Sequence, residues 1–126
     1  MSKQVELGAL ADQVANYGYA YVMTVSDGGR VHAVAVHPTM ADGGIVVTEA
    51  GSRTLRNAAA RPAISLVWPP AMDGGYSLIV DGDARQDDGT LHVAPTRAVL
   101  HRAAALALAG AASADDDSCR ADCIEL

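Results

Sequence analysis

The stretch that decides the fold is Tyr19-Ala20-Tyr21-Val22-Met23-Thr24-Val25-Ser26-Asp27-Gly28-Gly29-Arg30-Val31-His32-Ala33-Val34-Ala35-Val36. Its side chains alternate with a period of two. Tyr19, Tyr21, Met23 and Val25 fall on one face, and Ala20, Val22, Thr24 and Ser26 on the other, as a strand requires. Asp27-Gly28-Gly29 supplies the positive φ angles of a tight hairpin turn. The return strand, residues 30–39, is rich in β-branched side chains. Two antiparallel strands are therefore written into one continuous segment.

Outward toward the C-terminus, Ala41-Asp42-Gly43-Gly44 turns the chain into a third strand, Ile45-Val46-Val47-Thr48, completing a meander. Ser52 is placed to cap a short helix that runs through residue 60. Pro62 ends it, because the residue before proline avoids the helical region. Residues 63–68 read as a fourth strand and residues 76–85 as a fifth, separated by Pro69-Pro70 and Asp73-Gly74-Gly75. Asp87-Asp88-Gly89 turns into a sixth segment, Thr90-Leu91-His92-Val93. Residues 97–112 are so rich in Ala and Leu that propensity alone assigns a helix. Toward the N-terminus, Val5, Leu7, Leu10, Ala11 and Val14 have helical spacing, which predicts an amphipathic helix over residues 5–17 within an N-terminal helical segment 1–18, with Gly18 as its left-handed cap. Residues 113–126, with Asp115, Asp116 and Asp117, read as a solvated tail or a short terminal helix.

At 126 residues the chain is sized for one domain, residues 1–126, and a fold of that length buries about two thirds of the surface of its unfolded chain. Half of the residues are apolar, but with no Phe and one Trp the core is tiled from small side chains. A formal charge of −6 argues against capture of nucleic acid or an anionic membrane, both of which need a basic face. No apolar run has the length of a membrane span, and the N-terminus lacks the apolar core of a signal peptide. The expectation is a cytoplasmic protein acting on small molecules.

Against that acidic background, Arg53, Arg56 and Arg61 fall in a window, residues 50–72, without one Asp or Glu. Gly51-Ser52 precedes them at a predicted helix N-terminus, where unpaired N–H groups and the helix dipole favour an anion, and a guanidinium adds bidentate geometry. The other reading of the same residues is a solvated helix face. Cys119 and Cys123, four apart, offer two thiols to a metal or a redox pair, or are two unconnected thiols in the tail; two ligands do not make a metal site. Asp81 and Asp83 read as solvent-facing residues at a strand end rather than paired acid–base carboxylates.

Several strings follow one another in a distinctive order: Thr48; Gly51-Ser52-Arg53-Thr54; Pro62; Ile64-Ser65-Leu66; Trp68-Pro69; Gly82-Asp83-Ala84. In this order and spacing, over residues 19–84, the chain resembles the pyridoxamine 5'-phosphate oxidase-like, FMN-binding split-barrel family. The resemblance implies a mainly β protein with short helices: a split β-barrel of about six strands, with an N-terminal helix and a short helix after strand three. It also replaces the helix at residue 97 with a bent or interrupted strand, residues 91–101, broken near Pro95.

The resemblance further implies a cofactor site. The family's Arg and Lys that clasp the FMN phosphate fall on Arg53 and Thr54, after Ser52. Its strand-end Thr falls on Thr48, beside Val47. The run that lines the flavin ring falls on His32-Ala33-Val34-Ala35-Val36-His37, with histidines at both formerly cationic ends, and a cofactor-contacting Gln falls on Ser77. The implied cofactor is FMN, or alternatively a deazaflavin coenzyme. The implied activity is hydride or electron transfer to an unknown small molecule by a homodimer. The alternative is a non-catalytic split-barrel binding protein that has lost tight FMN binding. No side chain presents itself as general acid or base.

Overall fold

The computed structural model describes residues 2–104. The segment 105–126, with Cys119, Cys123, the acidic triplet and the end of the Ala/Leu run, lies outside the described residues. Eight antiparallel strands form one sheet: β1 (Ser2–Val5), β2 (Ala20–Val25), β3 (Val31–Val36), β4 (Thr39–Ala41), β5 (Gly44–Val47), β6 (Ala63–Trp68), β7 (Ser77–Asp87) and β8 (Thr90–His101). Two short helices accompany them, α1 (Leu10–Val14) and α2 (Ser52–Ala60).

The sheet runs β3-β2-β6-β7-β8-β5-β4, with β1 also on β8. β3 and β4 end this path and are not paired, so the barrel is not closed. β7 lies along the whole of β8 on one side. On the other side β5 takes residues 91–93 and β1 takes residues 98–101. β8 thus serves two different partners along one edge.

The β2–β3 hairpin forms as the alternation demands, with Ala20, Val22 and Thr24 opposite Val36, Val34 and His32. The small-residue face of β2 is the inward one: Ala20 and Val22 are fully buried and Thr24 is 1% exposed. Ile64, Leu66 and Trp68 of β6 and Leu78 and Val80 of β7 join them in the core. The positive φ values of Gly29, Asp42, Gly43, Asp88 and Gly89 stand at the three turns expected from sequence.

Four sequence expectations change. The strand count is eight rather than about six, because β1 and β4 are additional. The N-terminal helix is confined to a 3₁₀ turn (Leu7–Ala9) and α1, while Ser2–Val5 is extended and hydrogen-bonds to β8. Gly18 does not have the positive φ of a left-handed cap. Ser52 is the first residue of α2 rather than its cap; the cap is Gly51, at φ 87° and ψ 155°, a region that essentially only glycine occupies. The bent strand is present as expected. β8 is continuous from Thr90 to His101, and its register against β7 shifts where Asp81 and Gly82 face Arg97 and Pro95.

α2 lies against β2 and β7. Asn57 Nδ2 donates to Thr24 Oγ1 at 3.1 Å, a buried bond between side chains 6% and 1% exposed. Thr24→Val keeps the shape but leaves the Asn57 amide without this acceptor. The expected cost is about 1–3 kcal/mol, read as a lower urea midpoint. A Thr24→Val/Asn57→Leu double variant should recover part of it, since both polar partners are then gone.

Candidate functional site

Two contacts set the direction of α2. Asn57 meets Thr24, and Arg61 Nη1 pairs with Asp27 Oδ1 at 2.8 Å at the hairpin tip. The helix therefore runs the same way as β2, and its N-terminal turn points back toward the end of β2 where Ala20 faces Val36. The β5–α2 connection, from Thr48 to Gly51, feeds into that turn. The N-terminus of α2, the end of β5 and the C-terminal half of β3 are thereby directed to one region.

At this region the backbone is suited to an anion. The first intrahelical bond is Leu55 N–H to the Gly51 carbonyl, 3.1 Å. The N–H groups of Ser52, Arg53 and Thr54 thus precede the helical ladder. No acidic residue stands in the first turn, so nothing opposes the dipole there. Ser52 and Arg53 are exposed. The three-arginine cluster divides: Arg61 is committed to Asp27, whereas Arg53 and Arg56 have no ion pair among the described residues.

The ten residues singled out from sequence do not all reach this surface. His37, Thr48, Ser52 and Arg53 are exposed, and His32, Val34 and Ser77 are half-buried. Val36, Val47 and Thr54 are buried, at 5%, 1% and 1% exposure. Thr54 Oγ1 is enclosed and has no hydrogen-bond partner. Its backbone N–H, not its hydroxyl, is the group available to an anion. Val36 and Val47 pack in the core, which leaves Val34 as the valine with surface to offer a ring. His32 stands opposite Thr24, level with the middle of α2 rather than with its N-terminus. Ser77 starts β7, paired with His101, while α2 touches the far end of that strand through Gln86 Nε2, which donates to the Leu55 carbonyl. Nine residues of strand, about 30 Å, separate Ser77 from Gln86.

Sequence reading missed two features. One is the Thr24–Asn57 bond that orients α2; a polar residue on the inward face of β2 was its only local sign. The other is the role of Asp81, which sits mid-strand rather than at a strand end. It accepts from Ser65 Oγ at 2.7 Å and lies 3.5 Å from Arg97 Nη1. Among the described residues no group of three or more His, Cys, Asp or Glu is arranged for a metal, and no helix is long and apolar enough to cross a membrane.

No protein-family model matches the sequence. Two uncharacterized proteins, from Mycobacterium bovis and Mycobacterium tuberculosis, are each 45% identical over 82% of this chain and 84% of their own length. Among solved structures, a FAD-binding protein of Mesorhizobium loti superposes with a TM-score of 0.63 at 10% identity, covering 79% of this chain and 96% of its own. A protein of Clostridium acetobutylicum related to general stress protein 26, of the pyridoxinephosphate oxidase family, gives 0.59 at 14% identity, covering 78% and 91%. An F420 reductase gives 0.55 at 14% identity, covering 64% and 87%.

Proposed function

We propose a flavin-type cofactor-binding role for this chain, which belongs to one family with the two uncharacterized mycobacterial proteins and has the split-barrel fold of flavin-binding, pyridoxamine 5'-phosphate oxidase-like proteins. The cofactor is FMN, with a deazaflavin coenzyme as the alternative. The observation that carries the proposal is the N-terminal turn of α2: three N–H groups ahead of the helical ladder, a glycine cap, no acid in the first turn and an exposed Arg53 beside them. That donor set fits a phosphate monoester.

The Arg53 guanidinium and the N–H groups of Ser52, Arg53 and Thr54 would hold the phosphate, with Thr48 and His37 donating from the neighbouring ends of β5 and β3. Val34 would support the ring. When bound, an isoalloxazine or deazaflavin ring supplies hydride transfer, and the protein supplies orientation and electrostatics. The activity proposed is oxidoreduction of a small molecule.

The proposed assembly is a homodimer, and the other side of the sheet supports it. Tyr21, Met23, Val25, Val31 and Ile79 point outward from neighbouring strands, with Tyr21 37% and Val31 64% exposed. An apolar sheet face of this kind suits a homodimer, and Ser77 would join a cofactor only across such an interface. A dimeric mass by light scattering is the expected result, and a monomer at about 100 μM, well above the Kd expected of a stable dimer, would remove this part.

The buried Thr54 hydroxyl, where the family places a lysine, favours a second reading: a binding protein without oxidoreductase activity and with weakened phosphate affinity. Arg53→Ala tests the phosphate site under both readings. It should cost about 1.5–3 kcal/mol of FMN or deazaflavin affinity, the range for a hydrogen bond to a charged group, measured by fluorescence titration. Unchanged affinity for both would move the phosphate elsewhere.

A further inference from the structure

The outer face of β4, β5, β8 and β7 carries a cleft of about 530 Å³ that shares none of the ten residues above. Its floor is a row of small residues. Ala41 faces Gly44 across β4–β5, the Ile45–Val93 register sets Gly44 beside Ala94, and Ala94 faces Asp83 on β7. Gly44 adds no side chain to this row, and a Cβ there would meet the Val93 and Ala41 carbonyls at ordinary contact distances of 3.4 and 3.6 Å.

The next row forms a wall, with Val46 opposite His92 and His92 opposite Arg85. Asp83 stands at one end of the floor and Asp42, held at φ 51° in the β4–β5 turn, at the other. Among the described residues, none of Asp42, Asp83, Arg85 and His92 has an ion-pair or side-chain hydrogen-bond partner. Asp83 and Arg85 share a face two residues apart, about 6.7 Å along the strand.

That separation selects the ligand. A carboxylate on Arg85 and an ammonium on Asp83 fit between two opposite charges set one pleat apart, with charge-assisted hydrogen bonds at both ends. A simple anion would meet Asp83 and Asp42, and a simple cation would meet Arg85. The volume falls in the range of small-molecule sites, roughly 300–1,000 Å³. We propose that this cleft binds a small zwitterion of the free amino-acid class, its carboxylate on Arg85 and His92, its ammonium on Asp83, and its side chain over Ala41, Gly44 and Ala94. The site is independent of the cofactor proposal.

The test titrates the full chain with glycine, L-leucine and L-phenylalanine, and with 3-phenylpropionate and phenethylamine, which lack the ammonium and the carboxylate respectively. Backbone amide NMR shifts of Gly44 and Ala94 are the readout. At least one amino acid should give saturable shifts, and both single-charge analogues should bind at least about tenfold more weakly, a loss of 1.4 kcal/mol. Arg85→Gln and Asp83→Asn, both at exposed positions, should each weaken binding by a similar factor while leaving the thermal midpoint and FMN titration unchanged. No saturable shift up to about 20 mM, well above the millimolar Kd equivalent to −4.1 kcal/mol, overturns the proposal. So does equal binding of 3-phenylpropionate, or wild-type affinity in both variants.

Discussion

Trp68→Ala is expected to lower the unfolding free energy by about 3–5 kcal/mol, the range for removing a large aromatic side chain from a core. The residue is fully buried and is the largest side chain in a core otherwise built from Leu, Ile, Val and Ala. For a chain of this size the thermal midpoint should fall by roughly 10–20 °C, followed by circular dichroism. Trp68→Phe should cost much less. The indole Nε1 has no hydrogen-bond partner, so removing it gives up volume but no bond, and an unpaired buried donor is itself unfavourable. An Ala variant as stable as wild type would mean that the core does not pack around Trp68.

Gly82→Ala should cost nearly as much although it adds a single methyl. A Cβ at position 82 would sit 2.6 Å from the Ala94 carbonyl oxygen and 2.7 Å from Val93 Cγ1. Neither is the loose end of a flexible side chain. β6 closes the other side, with Ile64 opposite Gly82, so β7 cannot shift away without disturbing a second strand. Overpacking of this kind costs about 1–3 kcal/mol, and one clash with backbone and one with the stiff Val93 side chain place Gly82 near the top of that range. The expected result is a lower urea midpoint with an unchanged m-value. Gly8→Ala is the matched control: its Cβ would have nothing within 4 Å, and it should be close to neutral. Equal effects at the two positions would contradict the register shift at Asp81/Gly82.

The same glycine shows what was legible in the sequence. Gly82-Asp83-Ala84 was one of the strings that carried the family resemblance, and the structure gives the glycine a steric reason, the close passage of β8 at its bend. The β2–β3 hairpin was legible because alternation and the Asp27-Gly28-Gly29 turn are local. β1 was not, because Ser2–Val5 becomes a strand only through hydrogen bonds to residues 98–101 of β8. Those partners lie nearly a hundred residues away, while Val5, Leu7, Leu10 and Val14 have helical spacing. At residues 97–101, Ala- and Leu-rich propensity favoured a helix, and pairing with both β7 and β1 prevailed.

The candidate site was legible to a lesser degree. A helix N-terminus next to Arg53 follows from a short, locally cationic segment behind a glycine, and α2 starts there one residue earlier than expected, with Gly51 as its cap. The inward packing of Val36, Val47 and Thr54 was not visible, since which face of an edge strand or first helical turn is covered depends on elements placed elsewhere in the fold. Ser77 was aligned by resemblance alone, and one chain gives no route from the start of β7 to α2.

The most direct measurement of the central claim is equilibrium titration of the purified full chain with FMN and, separately, with a deazaflavin coenzyme, following quenching of cofactor fluorescence. Saturable binding of one of them below about 100 μM, equivalent to roughly −5.5 kcal/mol, with clear weakening in Arg53→Ala, is the predicted result. Failure of both to bind below about 1 mM, where the association free energy is only about −4 kcal/mol, would contradict it.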